Sequence, residues 1–296
     1  MGRATRLAVG LTLGAGWLLR AQAWPDRTPV HIRRTGAFHG PPVTESSGAT
    51  GSRGHPGRFW TINDSGNGPL LFLVDTLATI SGTVRLDGAT NVDWEALAGG
   101  PCGPAWCLYV GDIGDNRAIR RSVVIYRLLE PTDRDLSLKV VPVKDSLVVR
   151  YADQPHDAES LLATQGGDLA IITKGQEGES LEYPIPSTAW HLGSLTVRPR
   201  WRLPFGTSLL LGRLVTDAAL SQDEQTLAVR TYREIFLFRR RPGGDLPDQP
   251  YRRCDIAGVD PQGEGLAWWN ASTLLLTSES RGRRGGPITL LECPTR

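Results

Sequence analysis

Residues 91–116 read NVDWEALAGGPCGPAWCLYVGDIGDN. The apolar residues are those of two short buried strands around a turn, yet Asp93, Glu95, Asp112 and Asp115 stand among them. Acids placed in otherwise core-like strands need a cause, because burying a carboxylate without a partner is costly. The same arrangement recurs along the chain. TESSGA (Glu45) is followed by RFWTINDSG (Asp64), HDAESLLA (Asp157, Glu159) by DLAIITKG (Lys174), VTDAALS (Asp217) by TLAVRTYREIFLF (Arg230), and QGEGLAWW (Glu264) by TLLLTSESR (Ser278, Glu279).

The leading acids Glu45, Glu95, Glu159, Asp217 and Glu264 are spaced by about 50 residues, a period in the range of propeller blades. Between them lie LLFLVD, TISGTVRL, SVVIYRLL, DSLVVRYA, SLEYPI and ITLLEC, which read as further strands bounded by turn residues. Asp157–Thr164 has some helical character, but its place in the repeat predicts a strand. Three to four strands per repeat build an antiparallel blade. The expected fold is therefore all-β: a single five-bladed β-propeller of four-stranded blades around a central channel. Six blades is the alternative, with residues 187–211 as the place where an extra blade would lie. The N-terminal PVHIRRTGAF is expected to complete the last blade beside ITLLEC and close the ring.

Such a ring answers the opening question. One residue type at one position of each inner strand converges near the axis, where like charges repel unless a cation, water or basic side chains separate them. Oxygen ligands without nearby Cys or His favour Ca²⁺, then magnesium or manganese. The expected ligand set is Glu45, Asp64, Glu95, Asp112, Glu159, Asp217 and Glu264. Lys174 and Arg230 would face it across the mouth, either holding an anionic group or only neutralising the acids. Within GDIGDN, turn chemistry accounts for Asp115 and Asn116. Trp60, Trp94, Trp268 and Trp269 are read as packing between blades, with Trp94 or Trp268 as a stacking surface in the alternative.

The whole chain narrows the function classes. It has 296 residues, 22% charged, and a formal net charge of +2, which is ordinary globular composition without the basic excess of a general nucleic-acid binder. The short basic runs Arg239–Arg241 and Arg281–Arg284 read as loop charges. Residues 1–23 combine Arg3 and Arg6, an apolar run from Leu7 to Leu19 and Ala21-Gln22-Ala23, the pattern of a secretory signal peptide; residues 24–296 form the propeller. No later stretch could span a bilayer. The expected location is secreted or periplasmic. Four cysteines in an exported chain favour two disulfides, Cys102 with Cys107 and Cys254 with Cys293, although three connectivities exist. The second closes a loop of about 40 residues, worth about 4 kcal/mol in the chain-entropy account.

NDSG, DWEALA, LYVGDIGDN, DAESLL and GEGLA resemble secreted bacterial propellers related in pattern to esterase-like phytases. The inner-strand acids are also similar to those of the calcium-activated nucleotidases. The resemblance implies a propeller outside the cytoplasm, with calcium and with a phosphoester as substrate class. Lys174 and Arg230 stand where those enzymes would use further acids, so the resemblance supports the fold more than the chemistry. Two functions follow. One is a secreted propeller with an acidic, calcium-binding channel and a mouth for a small-molecule or cell-surface ligand. The other is a metal-dependent phosphohydrolase in which Glu95, Lys174 and Arg230 are the catalytic candidates. Nucleophilic serine hydrolysis lacks a G-x-S-x-G elbow. Sugar hydrolysis by a carboxylate pair such as Glu95 and Glu264 depends on a separation that sequence does not contain. Oligomeric state is not readable.

Overall fold

In a computed structural model, residues 25–176, 178–204, 212–241, 249–280 and 286–294 are described. The expected signal peptide and the basic run Arg281–Arg284 lie outside them. Five sheets follow one another along the chain, each headed by a strand on the inside of the ring: Ser46–Gly51, Trp94–Cys102, Ala158–Ala163, Val215–Leu220 and Gly263–Trp268. These inner strands touch one another in cyclic order, the fifth meeting the first. The five-bladed propeller is the fold.

Asp157–Thr164 is a strand, as the repeat required. Residues 187–211 hold no sixth blade among the described residues; Ser187–His191 is a 3₁₀ turn, Ser194–Val197 joins blade 2 and Trp201–Arg202 ends blade 3. The N-terminal strand His31–Phe38 runs antiparallel to Gly286–Glu292 and closes blade 5, which ties the two ends of the chain into one sheet.

One expectation needs correcting. Three blades carry five strands rather than four, because a passing segment adds a parallel strand to the outer edge. Val140–Pro142 does this for blade 1, Ser194–Val197 for blade 2 and Arg27–Thr28 for blade 4. An open outer edge presents unpaired backbone groups, and covering it prevents edge-to-edge association. A short helix, Asp133–Leu138, leads into the first of these strands and starts at a Thr132–Asp135 capping box.

The core lies between blades. Buried side chains form five clusters, and each cluster joins two neighbouring sheets. Along the inner strand of blade 2, Leu97 packs towards blade 1 while Ala96 and Ala98 pack towards blade 3. Both faces of every blade are therefore apolar, which explains why the strands read as continuous hydrophobic runs. Trp60 and Trp94 are fully buried in the seam between blades 1 and 2, as packing required. The two disulfides form with the expected partners; Cys254–Cys293 links the outer parts of blades 4 and 5.

Candidate functional site

Each inner strand has a break in register close to its start. The paired residues just before the break are Ser46–Asn63, Trp94–Asp112, Ala158–Thr173, Val215–Thr231 and Gly263–Ser278. Pairing resumes at Ala49–Thr61 and Leu266–Leu276 in blades 1 and 5 and at Ala96–Gly111, Ser160–Ile172 and Asp217–Arg230 in blades 2 to 4. In those three, Leu97–Val110, Leu161–Ile171 and Ala218–Val229 follow as the equivalent pairs, so the five breaks superpose. A bulge of this kind re-aims side chains. Here the residues that follow the first pair are Ser47, Glu95, Glu159, Thr216 and Glu264.

This register corrects the alignment made from the acids alone. Three blades place a glutamate at the bulge and two place a hydroxyl. Ser47 donates through Oγ to Glu95 Oε2 at 2.8 Å, and Thr216 Oγ1 reaches the Glu264 carbonyl at 3.4 Å, so each hydroxyl serves the next blade. Glu45 lies two residues before the bulge, level with Asp93 and Asp157, and its carboxylate accepts from Asn67 Nδ2 at 2.7 Å. Asp217 lies one residue after it. Its carboxylate accepts the backbone N–H of Ala218 at 2.7 Å and that of Leu266, in blade 5, at 2.6 Å. The counterpart of Asp217 in blade 1 is Gly48, where a Cβ would stand 2.6 Å from Leu97 N. That position faces the neighbouring backbone, not the axis. Slips of one or two residues were invisible in sequence because TESSGA and VTDAALS tolerate either alignment, and hydroxyls did not register as ring members.

The second strands divide in the same way. Asp64, Lys174 and Glu279 occupy one position, with Ile113 and Tyr232 completing it. Asp112 is one residue earlier, paired with Trp94, and is buried. It accepts from Arg120 at 2.7 Å and from Val92 N at 3.0 Å. Asp115 accepts from Arg120 N at 2.5 Å, and the Ala118 N–H closes a turn onto the Asp115 carbonyl at 2.7 Å. For Asp115, GDIGDN behaves as the turn its composition suggested. Arg230 is buried and donates to the carbonyls of Gly265 at 2.6 Å and Thr277 at 2.8 Å, with an ion pair to Asp260. It is a strut between blades 4 and 5; a side chain at Gly263 would overlap its guanidinium.

What converges near the axis is a different set. Carboxylate oxygens of Asp64, Asp93 and Glu95 lie within 4.8 Å of one another. Two of these belong to the expected ligands; Asp93 completes the group, and the D-x-E spacing it shares with Asp157 and Glu159 was the signal that could have found it. Gly114 permits the arrangement, since a Cβ there would stand 2.6 Å from Asp93 Cγ and 2.8 Å from Glu95 Cγ. Burial, then the Asp64 charge, pushes the Asp93 carboxyl up to about 6. Burial, then the Glu159 and Asp64 charges, holds Glu95 well above the usual carboxylate range.

The remaining members extend around the channel. Glu159 is buried and ion-paired to Lys174, which also stands 3.8 Å from Asp157. Burial lifts Glu159 to about 7 against the pull of Lys174. The Lys174 ammonium is opposed by its own burial, yet the Glu159 charge raises its pKa and keeps it protonated. Glu264 is buried too, and its Oε2 has no hydrogen-bond partner among the described residues. Burial and the Glu159 charge push it well above its ordinary value. Against Asp64, Asp93, Glu95, Glu159 and Glu264, the described residues set the ammonium of Lys174, with Arg120 and Arg230 acting from pairings of their own with Asp112 and Asp260. An excess of that kind resolves by protonation or by a cation. The donors near the axis are hard oxygens; His156 lies away from them, bonded to Asp153 at 3.0 Å and Tyr183 at 2.7 Å.

No family model matches the chain, and no curated protein matches it in sequence. Its fold is shared with solved structures. One is the PQQ-bound aldose sugar dehydrogenase of Streptomyces coelicolor, matched over 91% of this chain and 99% of that one with a TM-score of 0.55 and 9% identity. The likeness is one of fold: this chain is a β-propeller. Among the described residues no helix is long and apolar enough to cross a membrane.

Proposed function

We propose that the protein is a secreted propeller that holds a calcium ion at Asp64, Asp93 and Glu95 and receives a ligand at the same mouth of the channel. The observation that carries this reading is the convergence of three carboxylates whose charges the chain itself leaves largely uncompensated. Calcium accepts six to eight oxygen ligands in flexible geometry, so side-chain carboxylates, backbone carbonyls and ligand oxygens can share it. Two disulfides fit an oxidising compartment.

A second reading, metal-dependent hydrolysis of a phosphoester, draws on Lys174, whose ammonium is ion-paired to Glu159 beside the acid cluster. On this reading the metal would supply Lewis acidity, Glu95 would take up a proton and Lys174 would hold a phosphoryl oxygen. Arg230, bound to two carbonyls and Asp260, would stabilise the blade seam rather than substrate.

Calorimetric titration of metal-stripped protein with Ca²⁺ tests the first reading. One saturable site is expected, lost in Asp93→Asn and in Glu95→Gln, together with a higher melting temperature when calcium is present. At about 100-fold excess over Kd, binding stabilises a fold by about 2.7 kcal/mol. A melting temperature indifferent to calcium, with no heat of binding, rejects the site. A phosphoester panel assayed with and without calcium tests the second reading, on which Glu95→Gln abolishes turnover.

A further inference from the structure

The inner strands run from the acidic mouth to the opposite one, and at that far end they enclose a second cavity. Its volume is about 530 Å³, within the range of about 300–1,000 Å³ that suits small ligands. All five blades contribute, through Thr50, Gly99, Ala163, Leu220 and Trp268. Glu95 and Gly99 are four residues apart on one strand, as are Glu264 and Trp268 on another, so this site is separate from the acids.

The chemistry of its wall is specific. Trp106, Trp268 and Trp269 supply indole surface, and the amides of Gln165, Gln222 and Asn270 stand at the rim. Trp268, which sequence placed beside a ring acid, therefore lines the other mouth together with Trp269. Trp106 Nε1 is buried without a hydrogen-bond partner among the described residues, a donor that ordinarily finds one. Gly99 keeps the approach to that nitrogen open, since a Cβ there would stand 3.2 Å from it and 3.0 Å from Thr50 Oγ1.

Charge is the remaining clue. The guanidinium of Arg53 lies 4.9 Å from the centre of the Trp106 ring and is exposed, and it has no carboxylate partner among the described residues. Glu224, at the same rim, is bonded to Arg240 at 3.3 Å. The backbone beneath Arg53 is fixed in advance, because Glu130 accepts from Arg53 N and Gly54 N at 3.0 Å each.

We propose that this second mouth binds a saccharide bearing a carboxylate, with sugar rings against the indoles, hydroxyls on the amides and the carboxylate on Arg53. Flat apolar surfaces edged by amides match a pyranose ring, which has an apolar C–H face and a polar rim. A single planar guanidinium presents the fork that one carboxylate accepts. A phosphate chain would call for a cluster of cations. The site is independent of the calcium reading.

The test is calorimetry and indole fluorescence on the mature chain with three probes: a trisaccharide of uronic acid units, the matching neutral hexose trisaccharide and a nucleoside monophosphate. The acidic trisaccharide is expected to bind saturably, to quench indole emission and to outcompete the other two. Arg53→Gln, on an exposed loop, should weaken it about tenfold and erase the preference over the neutral sugar. Trp106→Phe should weaken both sugars. No saturable binding of the acidic trisaccharide, equal affinity for the neutral one, tighter binding of the nucleotide, or unchanged affinity in Arg53→Gln would each overturn the proposal.

Discussion

Glu234 and Glu264 are both glutamates buried in neighbouring blades, and they live in opposite electrostatic worlds. Glu234 sits between strands of blade 4 and the N-terminal segment, where Arg27 at 3.1 Å, Arg213 at 3.0 Å and Arg253 all reach its carboxylate. Despite its burial, the Arg253 and Arg213 hydrogen bonds and charges hold it below the usual carboxylate range. Glu264 has one carboxylate oxygen without a hydrogen-bond partner among the described residues, and burial holds it high. Burial alone therefore does not tell what an acid is for; the balance of charge around it does. Where the chain supplies its own cations, the acid joins elements of the fold. Where it leaves an excess, the acid waits for protons or for a metal.

The sharpest way to break this contrast is to remove one charge from each place. Glu234→Gln should destabilise the protein by about 3 kcal/mol, at the low end for a buried pair because its arginines keep some water. Glu264→Gln should leave the metal-free protein as stable or more so, since it replaces a group already forced towards neutrality. Urea unfolding of the two variants reads both; equal losses would erase the distinction. Asp217, an acid that lies next to the ring yet bonds backbone across the seam, should fall between them. Asp217→Ala strands the Leu266 N–H and should cost about 1–3 kcal/mol without altering calcium binding.

The pH profile sharpens the comparison further with a smaller effect. Asp93 is raised from 3.8 to about 6 and Glu159 from 4.5 to about 7 in the folded protein. Groups raised in this way bind protons more tightly when folded, so their contribution is fully present below the unfolded pKa and is lost as pH rises. Metal-free protein should thus lose stability between about pH 4 and 7 through these groups. Saturating calcium should flatten that loss, and melting curves across the range with and without calcium measure the difference. Identical slopes would mean that no cation relieves the cluster.

Much of this was legible before any coordinates. The recurrence of an acid ahead of an apolar strand, at near-constant spacing, revealed the number of blades, because each blade repeats one strand–turn–strand unit. The disulfide pairs followed from the turn that Cys102 and Cys107 flank, which leaves Cys254 with Cys293, and ITLLEC with PVHIRRTGAF announced the closure. At the site the reading was coarser. Glu95, Glu159 and Glu264 share one position at the bulge, and the Glu159 charge acts on both of the others. Glu45 and Asp217 were aligned with them, though a bulge of one or two residues sends the first to Asn67 and the second into a backbone seam. Arg230 looked like a basic side chain at the mouth; its partners, Gly265, Thr277 and Asp260, lie 30 or more residues further on.

Hydrophobic runs, turn residues and the recurrence of acids determined that this chain forms a ring of five antiparallel sheets with charge gathered at its centre. Those signals are local, and a repeat multiplies them. Which acids meet, which are neutralised and which remain exposed to one another was decided only by tertiary structure. The bulge register that aims Glu95 towards Asp64 and Asp93 is one residue wide, and Coulomb energy between carboxylates changes steeply over such a step.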